Sequence, residues 1–177
     1  MTSFSSLSRE SLLAAAVFTG LGLCLNQPAC AQTPPPAPPL PYGEAISLEQ
    51  ARKVIAAAEV EAKKNNWPVA IAVVDGSGFL VAFQRLDNTQ LGSVEVSLEK
   101  ARTSALFRRP TKAFEDILAM GGANNKLLKL PGALPIEGGI PIIVGGKIIG
   151  AIGVSGVKSS EDGQIAAAGA DALKPTP

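Results

Sequence analysis

Histidine is absent from all 177 residues, and the two cysteines, Cys24 and Cys30, lie close to the N-terminus. Each absence removes a class of chemistry. Ser-His-Asp and Cys-His nucleophilic catalysis have no base in this chain. Zinc sites built on His or Cys have no ligands after residue 30. Charge is sparse as well: charged residues make up 18 % of the chain, with 16 basic side chains against 15 acidic ones. A nearly neutral chain with one Trp, one Tyr and six Phe has no footprint for nucleic acid. Any chemistry is left to carboxylates, Lys, Arg, hydroxyls and the backbone.

What is present begins with an address. Leu12 to Leu25, LLAAAVFTGLGLCL, is an apolar run of 14 residues, too short to span a bilayer. It is followed by PACAQ, where Ala29 and Ala31 form the small-x-small pattern that a signal peptidase reads. Residues 1–31 are therefore expected to be a secretory signal, and the protein periplasmic or secreted, with no membrane attachment after cleavage. The remaining 146 residues suit one domain with a sizeable core and contain no thiol. Residues 32–46 contain six prolines and predict an extended tether ahead of a domain over 47–177.

Ser47 and Gln50 make a capping box, and Leu48, Ala51, Ile55, Ala58 and Ala62 then draw one helical stripe. PVAIAVVD (68–75) and FLVAFQRL (79–86) flank Gly76-Ser77-Gly78 and predict a β-hairpin. Residues 92–107 return to helical spacing, with Val94, Leu98, Ala101 and Ala105 on one face and Ser93, Ser97, Lys100 and Ser104 on another. Pro110 breaks that helix and starts a short one over 111–120, closed by Gly121-Gly122. Residues 140–144 and 147–155 form a second hairpin around Gly145-Gly146, a two-residue turn of the primed type. A further short strand is expected near 134–136, and Ser159 with Asp162 is read as the cap of a final helix. The order α-β-β-α-α-β-β-α predicts an α+β domain: an antiparallel sheet of about five strands covered by helices.

Three blocks carry a resemblance: SLEQARKVIAAAEVEAKKNNWPVAIAVVDGSGFLVAFQRLD, KARTSALFRRPTKAF and LPGALPIEGGIPIIVGGKIIGAIGVSG. Together they resemble the GlcG/HbpS-like haem-binding (haem-degrading) domain family, related to the C-terminal domain of PduO-type proteins. The resemblance implies a profilin-like fold, assembly into homo-oligomers, and a small-molecule ligand, with haem or a related tetrapyrrole as the cofactor. Carried over residue by residue, it marks Arg85 and Asp87 after the second strand, Lys100, Thr103, Arg108, Arg109 and Thr111 around the helix break, and Gly138 and Gly139 in the PIEGG turn.

The candidate roles follow from residue chemistry. Arg85, Lys100, Arg108 and Arg109 form an anion-handling set, since arginine grips carboxylates through two parallel hydrogen bonds. The same arginines also suit solvated faces and a helix C-terminus. Glu137, set among apolar residues and two glycines, fits proton transfer as a catalytic carboxylate, weak metal binding, or an ion pair with Arg108 or Arg109. Met120 and Tyr42 are the remaining candidate iron ligands, Met120 with the alternative of filling a gap at its helix end and Tyr42 within the tether. No other metal site is expected. Three functions are consistent with these residues: an exported tetrapyrrole-binding protein, an enzyme acting on haem or a small carboxylate, and an oligomeric interaction module.

Overall fold

The computed structural model describes residues 38–174; the expected signal segment and most of the proline-rich stretch lie outside the described residues. Helix α1, Leu48–Lys64, starts at the Ser47–Gln50 capping box read from the sequence, with each side chain accepting the other residue's backbone N–H. Strands β1, Ala70–Asp75, and β2, Leu80–Arg85, form the first hairpin. Helices α2, Ser93–Phe107, and α3, Lys112–Ala119, follow, and a 3-10 helix occupies Gly122–Lys129. Strands β3, Gly139–Val144, and β4, Lys147–Ser155, turn through Gly145 and Gly146, both at positive φ as a type I′ turn requires. Helix α4, Ser159–Asp171, closes the domain.

The sheet is antiparallel throughout, in the order β2-β1-β4-β3. Among the described residues it has four strands, not about five: residues 133–138 approach β3 as an irregular loop, and Leu134–Ile136 forms no strand. The chain adds a different short pairing. Ile148 N–H donates to the Pro41 carbonyl at 2.9 Å, and Gly43 N–H donates to the Ile148 carbonyl at 2.8 Å. Residues 41–46 thus lie along the start of β4, beyond the end of β1, and bury Ile46.

Two layers of helix cover the sheet. On one face α1 and α4 bury Val54, Ile55, Ala58, Ile165 and Ala166 against Ile71, Val73, Ile152 and Val154. The other face carries small residues, Ala72, Val74 and Ala151, under Ala101 and Ala105 of α2. This small-residue layer lets α2 approach the sheet backbone. A Cβ at Gly153 would collide with the Ser97 carbonyl and the Ala101 amide. The close approach also decides which side of α2 faces inward. Ser93, Ser97, Lys100, Thr103 and Ser104 are buried with the two alanines, whereas Val94 and Leu98 are only partly covered. Larger apolar side chains would hold the helix away. The buried hydroxyls are satisfied locally: Ser97 donates to Val94 O at 2.9 Å, Ser104 to Arg109 O at 3.0 Å, and Ser155 to the Ser93 hydroxyl at 3.2 Å.

Candidate functional site

The loop before β3 is built around a buried ion pair. Lys100, 1 % exposed, reaches from α2 past the sheet and donates to Asp162 Oδ2 at 2.8 Å and to the Val154 carbonyl at 3.0 Å. Asp162 also accepts the Val157 N–H at 3.2 Å. Burial pushes the Asp162 carboxyl above its ordinary value, and the Lys100 ammonium holds that rise back. The final helix is accordingly capped one residue earlier than expected, with Glu161 accepting the Lys158 N–H, and Asp162 faces inward.

Gly138 and Gly139 sit directly against this pair. Gly138 has φ +127°, and a side chain there would meet the Val154 carbonyl and Lys100 Nζ. A Cβ at Gly139 would collide with the Lys100 carbonyl and the Thr111 methyl. Thr111 exchanges two bonds with Gly139: its hydroxyl accepts the Gly139 N–H at 2.8 Å, and its own N–H donates to the Gly139 carbonyl at 2.9 Å. The Thr103 hydroxyl accepts the Leu134 N–H at 2.8 Å and donates to Gly132 O. The polar atoms of Lys100, Thr103 and Thr111 are therefore engaged within the protein. These three support the loop through bonds within the protein.

Two adjoining clefts open along the outer edge of β3, sharing Pro110 and Ile140. One, of about 240 Å³, has an apolar floor of Pro110, Ile140, Pro141, Ile143 and Ala170, with Arg108 and Arg109 among the residues around it. The other, of about 360 Å³, is bounded by Glu137, Gly138, Gly139 and Lys112 on one side and by the start of α4 on the other. Arg108 and Arg109 are each stacked on a ring, Arg108 5.5 Å from the centroid of Tyr42 and Arg109 5.4 Å from that of Phe114. Neither has an acidic partner among the described residues.

Glu137 pairs with neither arginine. Its carboxylate is 3.8 Å from Lys112 Nζ and packs across Gly163 of α4, while its N–H donates to Glu115. Lys112 also pairs with Asp116 at 2.8 Å, and that carboxylate, then Glu137 and Glu115, raises the ammonium pKa.

Against known proteins, the model of the family described as haem degrading protein HbpS-like matches residues 46–171. This chain belongs to the HbpS-like family. Protein GlcG of Escherichia coli strain K12 is 44 % identical over 110 residues, 62 % of this chain and 81 % of that protein. Among solved structures, HbpS superposes with a TM-score of 0.69 at 33 % identity, covering 77 % of this chain and 95 % of HbpS. A complex of PduOC with heme superposes at 0.66 and 25 % identity, covering 73 % and 95 % of the two chains.

In this HbpS-like chain the expected anion-handling set does not form one group. Arg85 lies on β2, at the opposite edge of the sheet from β3. Three strand spacings, about 14 Å, separate the two edges. Arg85 and Asp87 instead border a separate open cleft of about 520 Å³ with Trp67, Lys63 and Glu59. Met120 stands at the C-terminal end of α3, is 75 % exposed and lines neither β3 cleft. Tyr42 gives its hydroxyl to the Ala105 and Leu106 carbonyls. Two contacts escaped the sequence reading. The Lys100–Asp162 pair spans 62 residues and has no local signature, and the contact of Tyr42 with Arg108 comes from a segment whose prolines suggest a spacer.

Proposed function

We propose that this HbpS-like protein is an exported small-ligand-binding protein whose ligand is haem or a related tetrapyrrole, held in the clefts along β3. The observation that carries this reading is the arginine pair, ring-stacked and without acidic partners among the described residues, beside an apolar floor of Ile140, Pro141 and Ile143. A ligand with a flat apolar body and carboxylate arms matches that arrangement: the floor takes the ring and the guanidinium edges take the arms. Support from kinship is the family description and the heme complex of PduOC.

The residues fit the macrocycle and its propionates better than the iron. The chain has no histidine, and the described residues contain no cysteine. Bound haem would supply redox-active iron; the chain's own part is to shelter the ring and neutralise its carboxylates. Acid–base work by Glu137 has less support, because its carboxylate is 3.8 Å from Lys112 and packed against α4. Self-association belongs to the same proposal. The outer edges of β2 and β3 carry no further strand among the described residues, and Phe79 and Leu80, beside the β2 edge, are exposed.

A haem titration followed in the Soret region tests the reading. Saturable, stoichiometric binding is expected. The Arg108→Ala/Arg109→Ala variant should weaken it by about tenfold or more, since a charge-assisted hydrogen bond contributes about 1.5–3 kcal/mol. Binding of equal strength in the two proteins would refute this site.

A further inference from the structure

Tyr42 precedes the family match, which begins at residue 46, yet its hydroxyl, its ring and the backbone on either side of it are all engaged by the folded domain. The backbone on either side of it pairs with Ile148 through the Pro41 carbonyl and the Gly43 N–H. Its hydroxyl shares a hydrogen between the carbonyls of Ala105 at 2.9 Å and Leu106 at 3.2 Å. These belong to the last turn of α2, where helical carbonyls lack partners within the helix. The face of its ring lies 5.5 Å from the Arg108 guanidinium, and Arg108 Nη1 reaches the Leu40 carbonyl at 3.5 Å. Leu40 and Arg108 line the same cleft.

Arg108 needs such a support. It occupies the position after α2 with φ +55°, a conformation that side-chain-bearing residues adopt rarely. With no acidic partner among the described residues, its long side chain would otherwise sample many rotamers. Ordering one on binding costs about 0.5–1.5 kcal/mol. A cation–π contact with the ring restricts the rotamers of Arg108 beforehand and leaves most of its five N–H donors available. Arg109, held over Phe114 and donating to the Phe107 carbonyl, is arranged in the same way.

We infer that Tyr42 is a positioning residue for ligand recognition: its ring presents Arg108 to one carboxylate of a planar dianionic ligand whose second carboxylate is met by Arg109. This role rests on the tetrapyrrole reading given above. It makes residues 40–42 part of the binding site, and it differs from a purely structural role in which the Tyr42 hydroxyl caps α2 and anchors the segment. The hydroxyl serves the cap, whereas the ring serves Arg108, so two substitutions separate the roles.

The test uses the full chain and two metal-free probes, protoporphyrin IX as its free dicarboxylate and its dimethyl ester, with binding followed by porphyrin fluorescence. The wild-type protein should prefer the dicarboxylate. Tyr42→Leu should weaken dicarboxylate binding by about three- to tenfold, the range of a partly exposed cation–π contact, and leave ester binding unchanged. Tyr42→Phe retains the ring and should stay within about twofold of wild type. An equal loss in Tyr42→Phe and Tyr42→Leu would overturn the positioning role in favour of the helix cap. A Tyr42→Leu loss of the same size for both probes would overturn it as well, because the ester has no charge for Arg108 to meet. A wild-type protein that binds neither probe would instead refute the tetrapyrrole reading itself.

Discussion

Replacing Lys100 with methionine removes the buried cation while keeping nearly the same shape, and so isolates what the charge does. In the wild-type protein Lys100 Nζ is 2.8 Å from Asp162, with the two side chains 1 % and 3 % exposed. Lys100→Met leaves the carboxylate buried with backbone N–H groups and no counter-charge. Removing one member of a buried ion pair costs about 3–5 kcal/mol. For a domain of this size, each kcal/mol lowers the melting temperature by roughly 4 °C, so a fall of about 12–20 °C is expected near neutral pH. The pH dependence follows from Asp162. Its carboxyl is already raised by burial and is held back first by the Lys100 charge; without that charge it rises further. A group whose folded pKa lies above its unfolded one favours folding most where it is protonated in both states, and loses that contribution as pH rises through the folded value. The deficit of Lys100→Met should therefore shrink as pH falls into and below the ordinary carboxylate range. Thermal melts followed by far-UV circular dichroism across that range measure it. Adding Asp162→Leu should recover most of the loss, since an apolar pair of similar volume is often as stable as the ion pair it replaces. A loss below about 3 °C at neutral pH, or one that does not change with pH, would refute the account of a desolvated pair.

Gly153→Ala should cost about 1–3 kcal/mol, because the new methyl can be admitted only by moving α2 off the sheet; unchanged urea unfolding would show that the helix yields there freely. Self-association at the free strand edges should appear in light scattering as a dimer or larger species at micromolar concentration, and a monomer mass would count against it.

The element order was legible because its signals are local. The Ser47–Gln50 box, the Gly76–Gly78 and Gly145–Gly146 turns and the Pro110 break each involve a few neighbouring residues, and each stands where the sequence places it. The short strand expected at Leu134–Ile136 failed for a related reason. An apolar triplet says nothing of whether a partner strand is free, and Thr103 and Thr111 hold that loop by side-chain bonds instead. Periodicity gave two faces of α2 without saying which turns inward, since the determining quantity is the distance between helix and sheet. Ala72, Ala151 and Gly153 set that distance, and they lie far from α2 in the sequence.

The same spacing explains why the candidate site lies at the β3 edge. Once α2 is seated on the small-residue layer, Lys100 reaches past β4 to Asp162, and the pair fills the space behind Gly138 and Gly139. Those glycines are consequently fixed from behind by charge and from the side by Thr111. The loop before Gly139 is held by these side-chain bonds, and Ile140 and Ile143 of β3 line one cleft with Arg108 and Arg109. Glu137 sits at the end of that loop because Gly163 lets its carboxylate lie flat on α4 within reach of Lys112. Its carboxylate is thereby engaged in fastening one side of its own cleft, while Arg108 and Arg109 border the adjoining one. Two adjoining clefts, one beside the internally paired Glu137 and Lys112 and the other beside Arg108 and Arg109, which have no acidic partner among the described residues, favour the proposal of ligand binding over that of proton transfer.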